Sequence, residues 1–173
     1  AASAEKEGSI TNSGRWMQWR YKAADPPGDA KPDGDIMVEL FDKIRDLYKT
    51  ERGVYPEPIL NLKWDYTTKG QYDAHKVAKE INGYFLADVT IKGTTYKAGT
   101  LVPSFGSLQA DGTTSSGNWL YCQSYTEKGN MAARRSTEDK SGIGLYAEWS
   151  WCWPINRRII YNRASVDRYG KPW

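Results

Sequence analysis

Two short runs in this chain hold the residue types from which a polar ligand site is made. The first is Glu5-Lys6-Glu7-Gly8-Ser9-Ile10-Thr11-Asn12-Ser13-Gly14-Arg15-Trp16. Gly8 and Gly14 let the backbone turn and come close to a ligand, while Thr11, Asn12 and Ser13 offer neutral donors and acceptors. Arg15 adds a planar fork for an anionic group. Such a loop suits the polar edge of a heterocycle, or a phosphate. A hydrogen-bonded structural turn needs the same residue types, so the run alone leaves both readings open. The second run, Thr113 to Trp119, leans towards a structural turn.

Other chemistries lack their parts. His75 is the chain's one histidine, set in Asp73-Ala74-His75-Lys76 with no second ligand at i+4. It therefore makes neither a zinc nor a non-haem iron site and reads as a surface or capping residue. A Ser-His-Asp triad would need that same histidine, and no G-x-S-x-G surrounds any serine. Neither a Walker loop nor a G-x-G-x-x-G after a strand is present. Cys122 and Cys152 stand far apart and form no C-x-x-C pair, so both read as inert or partly buried thiols. Trp149, Trp151 and Trp153 alternate with Ser150 and Cys152, which puts three indoles on one side of an extended segment. Packing explains that pattern better than a stacking platform for sugar or bases. No catalytic residue and no metal ligand can be assigned.

The elements that must position the first run follow from periodicity and punctuation. Asp25-Pro26-Pro27-Gly28 through Asp33 reads as a connector. A helix follows, capped by Asp33 or Asp35, with Ile36, Leu40, Ile44 and Leu47 as its core stripe, widened by Met37, Phe41 and Tyr48. Glu39 and Lys43 form an i,i+4 pair, and Gly53 marks the stop. A second helix is predicted over 71–82, with Ala74, Val77, Ala78 and Ile81 on one face and Gly83 past its end. Two short strands, 84–90 and 95–102, flank Lys92-Gly93. The fold class is mixed, loop-rich α/β.

Composition qualifies that fold. Leu, Ile, Val and Phe number 9, 10, 6 and 3, so 28 of 173 residues are large aliphatics or Phe. That fraction falls below the roughly 20% at which a chain readily builds its own core. A net charge of +3 is too small for a disordered chain, and 8 Trp with 12 Tyr supply bulk instead. The chain is thus expected to be ordered yet short of private core, packing against something larger. No stretch approaches the roughly 18 apolar residues of a membrane span, so direct membrane insertion is not expected. Ala1 to Gly8 lacks the basic start and apolar core of a signal peptide. From Met131 onward eight basic residues face four acidic ones, and most of the eight are Arg, which favours an anionic partner or an acidic protein surface.

A resemblance narrows the reading. AEKEGSITNSGRWMQWRYK at Ala4 to Lys22 resembles the large subunit of molybdenum- or tungsten-dependent formate dehydrogenases, and so does PPGDAKPDGDIM at Pro26 to Met37. NWLYCQSYTEKGNMAARR at Asn118 to Arg135 and WPINRRIIYNRAS at Trp153 to Ser165 are similar to its respiratory or periplasmic branch. Glu7, Gly8, Thr11, Asn12 and Arg15 alone would indicate only the broader molybdopterin oxidoreductase family.

The resemblance implies oxidation of formate to carbon dioxide at a Mo or W centre held by two molybdopterin guanine dinucleotides. It also implies a four-iron, four-sulfur cluster elsewhere in the enzyme and an iron-sulfur electron-transfer subunit as partner. It places Glu7, Thr11, Asn12 and Arg15 in a cofactor-facing loop. Asn156, Arg157 and Arg158 would help seat a following barrel, hold a cofactor phosphate, or form salt bridges between domains. The chain is then a partial segment in three parts: 1–25 facing the cofactor, 26–110 as an α/β stretch, and 111–173 leading towards a C-terminal pterin-binding barrel outside it. Periplasmic localisation is implied. A free-standing module binding single-stranded nucleic acid through Arg and stacked aromatics is the alternative, weakened by the mild basicity, and the leading reading has no nucleic-acid partner.

Overall fold

The computed structural model describes residues 2–11, 16–115, 121–133, 150, 151, 169 and 171. Among the described residues three α-helices and nine short strands are joined by irregular stretches, which is the mixed, loop-rich α/β class expected. The strands are β1 (Gly8–Thr11), β2 (Trp16–Arg20), β3 (Thr67–Thr68), β4 (Gln71–Tyr72), β5 (Val89–Ile91), β6 (Thr94–Tyr96), β7 (Tyr125–Thr126), β8 (Gly129–Asn130) and β9 (Ser150–Trp151). The helices are α1 (Asp33–Glu51), α2 (Glu57–Leu60) and α3 (Ala74–Asn82). No barrel occurs among the described residues. Two compact units emerge, one drawn from Ala1–Gly8 with Tyr21–Val77, the other from Ser9–Arg20 with Ala78–Trp173.

In the first unit α1 is the long element. Pro32 stands at its N-cap without a side-chain cap, and Asp33 and Asp35 in the first turn complement the helix dipole instead. Asp35 has a second task, since its Oδ1 accepts the Tyr72 N–H at 2.7 Å. Arg52, at φ 48, takes the left-handed position that ends the helix, where Gly53 was expected to act. Gly53 answers a different demand, because a Cβ there would sit 2.8 Å from the Tyr48 ring.

The packing face of α1 differs from the expected one. Val38 is its buried residue, and Phe41 stacks on Trp64 with centroids 4.2 Å apart. Trp64 meets Tyr66 edge-on at 4.9 Å, and Arg45 lies 4.8 Å above Phe41 while donating to the Leu62 carbonyl. Gly34, Val38, Phe41 and Arg45 follow the i, i+4, i+7, i+11 spacing of one helical stripe. Ile36, Met37, Leu40 and Leu47 are instead 49–59% exposed. Positions two apart on a helix differ by about 200°, so the Ile/Leu stripe looks away from the Trp64 cluster. The expected Glu39–Lys43 pair is also replaced, with Lys31 bonding Glu39 at 2.6 Å.

A hairpin precedes α3 where sequence periodicity predicts only helix. Thr67 pairs with Tyr72 and Thr68 with Gln71 across a corner made by Lys69 (φ 54) and Gly70 (φ 78). Both corner residues have positive φ, the signature of a type I′ turn. The helix therefore starts at Ala74. Lys92 (φ 47) and Gly93 (φ 83) repeat the device between β5 and β6, as anticipated, although the strands are shorter than expected. Tyr84 and Phe85 form only isolated bridges, to Leu101 and Thr114.

The second unit carries the core. Phe85, Val102 and Cys122 are buried, with Val89, Ile91, Tyr96 and Leu108 packed around them. Full burial of an apolar side chain such as Phe85 or Val102 contributes roughly 1.5–3 kcal/mol. Phe85 also stacks on Tyr96 at 4.7 Å, with planes 8° apart. Asn82 binds this core together through its buried amide. Its Nδ2 donates to the carbonyls of Gly83 and Val102, while its Oδ1 accepts N–H groups of Gln123 (2.8 Å) and Tyr125 (3.3 Å). A three-stranded sheet in the order β1-β2-β9 completes the described elements, with Trp16 opposite Trp151 and Met17 opposite Ser150.

Candidate functional site

Of the four expected cofactor-facing residues, Glu7 and Thr11 lie among the described residues, and Asn12 and Arg15 lie outside them. Glu7 belongs to the first unit and Thr11 to the second. Thr11 is exposed at the end of β1.

Glu7 is held from both sides along the chain. Its Oε1 lies 3.1 Å from Nε2 of His75, and both side chains are about a third exposed. The neighbouring Lys6 pairs with Asp33 at the start of α1. Upstream, the Ala4 carbonyl accepts the N–H groups of Ala23 (2.7 Å) and Ala24 (3.1 Å). The result is a carboxylate fixed just before Gly8, the first residue of β1.

His75 is thus a hydrogen-bond partner of Glu7 rather than a capping residue. The cap of α3 is Asp73, whose Oδ1 accepts the His75 N–H at 2.9 Å and whose Oδ2 accepts the Thr68 hydroxyl at 2.6 Å. Burial works against the charge of Asp73, but the Thr68 hydroxyl and the N–H groups of His75 and Lys76 outweigh it, so its pKa falls below the usual value. Tyr72 moves the other way, raised by burial and by the nearby Asp73 and Asp35 carboxylates. Asp73 falls inside the helix expected over 71–82, and the hairpin that makes it the cap was hidden.

On β2, Met17 and Trp19 are buried while Gln18 and Arg20 are half-buried. Period two puts Gln18 and Arg20 together on the face opposite the core. The Nε of Arg20 is buried and has no hydrogen-bond partner. Arg20 carries no local signal in the sequence, because it follows the loop rather than sitting in it.

The remaining candidates are structural. Asp111 Oδ1 accepts both the backbone N–H (2.9 Å) and the hydroxyl (2.6 Å) of Thr113, and Ser115 Oγ accepts the Tyr84 N–H at 2.8 Å. The described part of the 113–119 run therefore builds a turn. Cys122 is buried, donates to the Asn82 carbonyl at 2.9 Å, and has its thiol pKa pushed up to about 11 by burial. That makes it an inert thiol, as expected. Cys152, Trp149, Trp153, Asn156, Arg157 and Arg158 lie outside the described residues. Among the described residues no group of three or more His, Cys, Asp or Glu is placed to hold a metal ion.

Comparison with known proteins sets the chain beside the large subunits of formate dehydrogenases. The chain is 54% identical to formate dehydrogenase subunit alpha of Megalodesulfovibrio gigas, a match covering 100% of this chain and 18% of the relative. It is 53% identical to formate dehydrogenase 2 subunit alpha (cytochrome c-553) of Nitratidesulfovibrio vulgaris, with 98% and 17% covered. Against the nitrate-inducible formate dehydrogenase major subunit of Escherichia coli the identity is 46%, again with 98% and 17% covered. No family model matches the chain. The chain belongs with the formate dehydrogenase alpha or major subunits as a segment of one, spanning less than a fifth of the length of these relatives.

Proposed function

We propose that this segment shapes the pterin cofactor pocket of a formate dehydrogenase catalytic subunit and carries part of its contacts to other protein. The whole enzyme oxidises formate to carbon dioxide at a Mo or W centre held by two molybdopterin guanine dinucleotides. When bound, that cofactor accepts the electrons of formate. A four-iron, four-sulfur cluster outside this segment and an iron-sulfur subunit would supply the electron-transfer chemistry. The observation that carries the reading is the 54% identity to a formate dehydrogenase alpha subunit along the whole chain.

The donor set suits such a cofactor. A pterin or guanine presents an edge of N–H donors, and a fixed carboxylate is the acceptor that edge takes. Glu7, oriented by His75, is such a carboxylate. Thr11 and Asn12 supply neutral partners, and Arg15 a fork for phosphate. The chain's own work is binding and orientation.

By the same reading, residues 1–25 face the cofactor, 26–110 form the α/β stretch, and 111–173 lead towards a pterin-binding barrel. The reading also places the enzyme in the periplasm. No helix of the described residues is long and apolar enough to cross a membrane.

The test is elemental and functional. The full-length subunit, purified with its partners, should contain Mo or W together with pterin and should reduce a viologen dye when given formate. Absence of both metals from an active, intact preparation would sink the proposal.

A further inference from the structure

We infer that Arg20, together with Gln18 on the same face of β2, forms a seat for an oxyanion supplied from outside the described residues. A buried N–H donor left without a partner is unfavourable. Arg20 Nε is buried with no hydrogen-bond partner, and no ion pair among the described residues includes this guanidinium. Arg45 makes the useful contrast. Its Nε is likewise orphaned, but it donates to the Leu62 carbonyl and lies over Phe41.

The strand fixes the chemistry. Alternation along β2 buries Met17 and Trp19 and sends Gln18 and Arg20 to the opposite face. An amide and a guanidinium two residues apart offer N–H donors along one line, the arrangement an oxygen-rich anion accepts. Two sources carry that chemistry. One is a phosphate of the dinucleotide cofactor, which rests on the formate dehydrogenase reading. The other is an Asp or Glu carboxylate from the rest of the subunit, which does not.

The experiment compares R20M and R20K with wild type in the full-length enzyme, measuring bound nucleotide phosphate per subunit and the thermal midpoint. R20M should lose one or both, with R20K recovering only part because an ammonium lacks the fork. A fall in nucleotide phosphate assigns the seat to the cofactor. A lower midpoint with phosphate retained assigns it to a protein carboxylate. If R20M yields no folded enzyme, phenylglyoxal labelling of wild type replaces it. Arg20 should then be protected in the native enzyme and labelled after unfolding. Variants that match wild type in both measurements, or full labelling of native Arg20, would overturn the seat. Wild-type enzyme holding no pterin nucleotide would instead defeat the formate dehydrogenase reading and leave the midpoint comparison intact.

Discussion

The imidazole of His75 lies 3.1 Å from the carboxylate of Glu7, which joins the residue before β1 to the first turn of α3. Both side chains are a third exposed, so solvent screens the pair and its coupling should be about 0.2–1 kcal/mol. A double-mutant cycle with E7Q and H75A in the full-length subunit, read by hydrogen exchange over residues 4–11 and 74–77, should return a coupling in that range. Additive effects of the two changes would show that the contact contributes nothing.

Asn82 should be far less tolerant. Removing its amide in N82A strands the buried Val102 carbonyl and leaves two partly buried N–H groups without their acceptor. Each buried group left unsatisfied costs about 1–3 kcal/mol. Local opening of residues 121–126 should therefore become easier by at least one such increment, seen as faster amide exchange at Gln123 and Tyr125. Unchanged exchange there would contradict the role given to Asn82.

Replacing glycine by alanine inside a helix ordinarily stabilises it by roughly 0.5–1 kcal/mol. At Gly34 the sign should reverse. A Cβ there would lie 2.3 Å from Cδ1 of Tyr72, so the ring must leave its place beside α1. Overpacking of this kind costs about 1–3 kcal/mol. G34A should lower the thermal midpoint, whereas G34A combined with Y72A should lose the penalty that G34A adds.

Cys122 should resist alkylation. Its thiol pKa of about 11 leaves little thiolate near neutral pH, and burial hides what remains. Iodoacetamide at pH 8 should leave Cys122 unmodified in native protein and label it after denaturation, measured by peptide mass. Rapid labelling of native protein would place this thiol at the surface.

Acid should loosen the start of α3. Asp73 has a folded pKa below its ordinary value of 3.8, so it contributes stability above that value. The contribution fades as pH falls through the lowered folded value. Exchange at His75 and Lys76 should rise in that acidic window in wild type and become much less pH-dependent there in D73N.

Periodicity found α1 and, in Phe41, one edge of its packing face, but not the centre of that face. Ile36, Leu40 and Leu47 form the better apolar stripe, yet the described contacts run through Gly34, Val38, Phe41 and Arg45. A hydrophobicity pattern marks which side of a helix seeks cover, and does not say which side the nearby chain can reach. Trp64 was invisible to that pattern because it lies in no periodic element. The Lys92-Gly93 corner was legible because β-branched residues flank it. The Lys69-Gly70 corner was not, since the helical spacing of Ala74, Val77 and Ile81 extended naturally back over Gln71.

The site was legible only in part. Glu7 could be named from its run, but its partner His75 is 68 residues away, and no local pattern announces such a meeting. Asn82 looked like an ordinary residue before a helix-ending glycine. Three of its four side-chain hydrogen bonds depend on Val102, Gln123 and Tyr125, which only the fold brings near.

The two Lys-Gly corners are exposed, and no side chain or backbone outside the turn would lie within 4 Å of a Cβ at Gly70 or Gly93. They are accordingly natural places to splice an epitope or a fluorophore. Labels at these tips could report on the subunit while leaving Phe85, Val102 and the Trp64 cluster undisturbed.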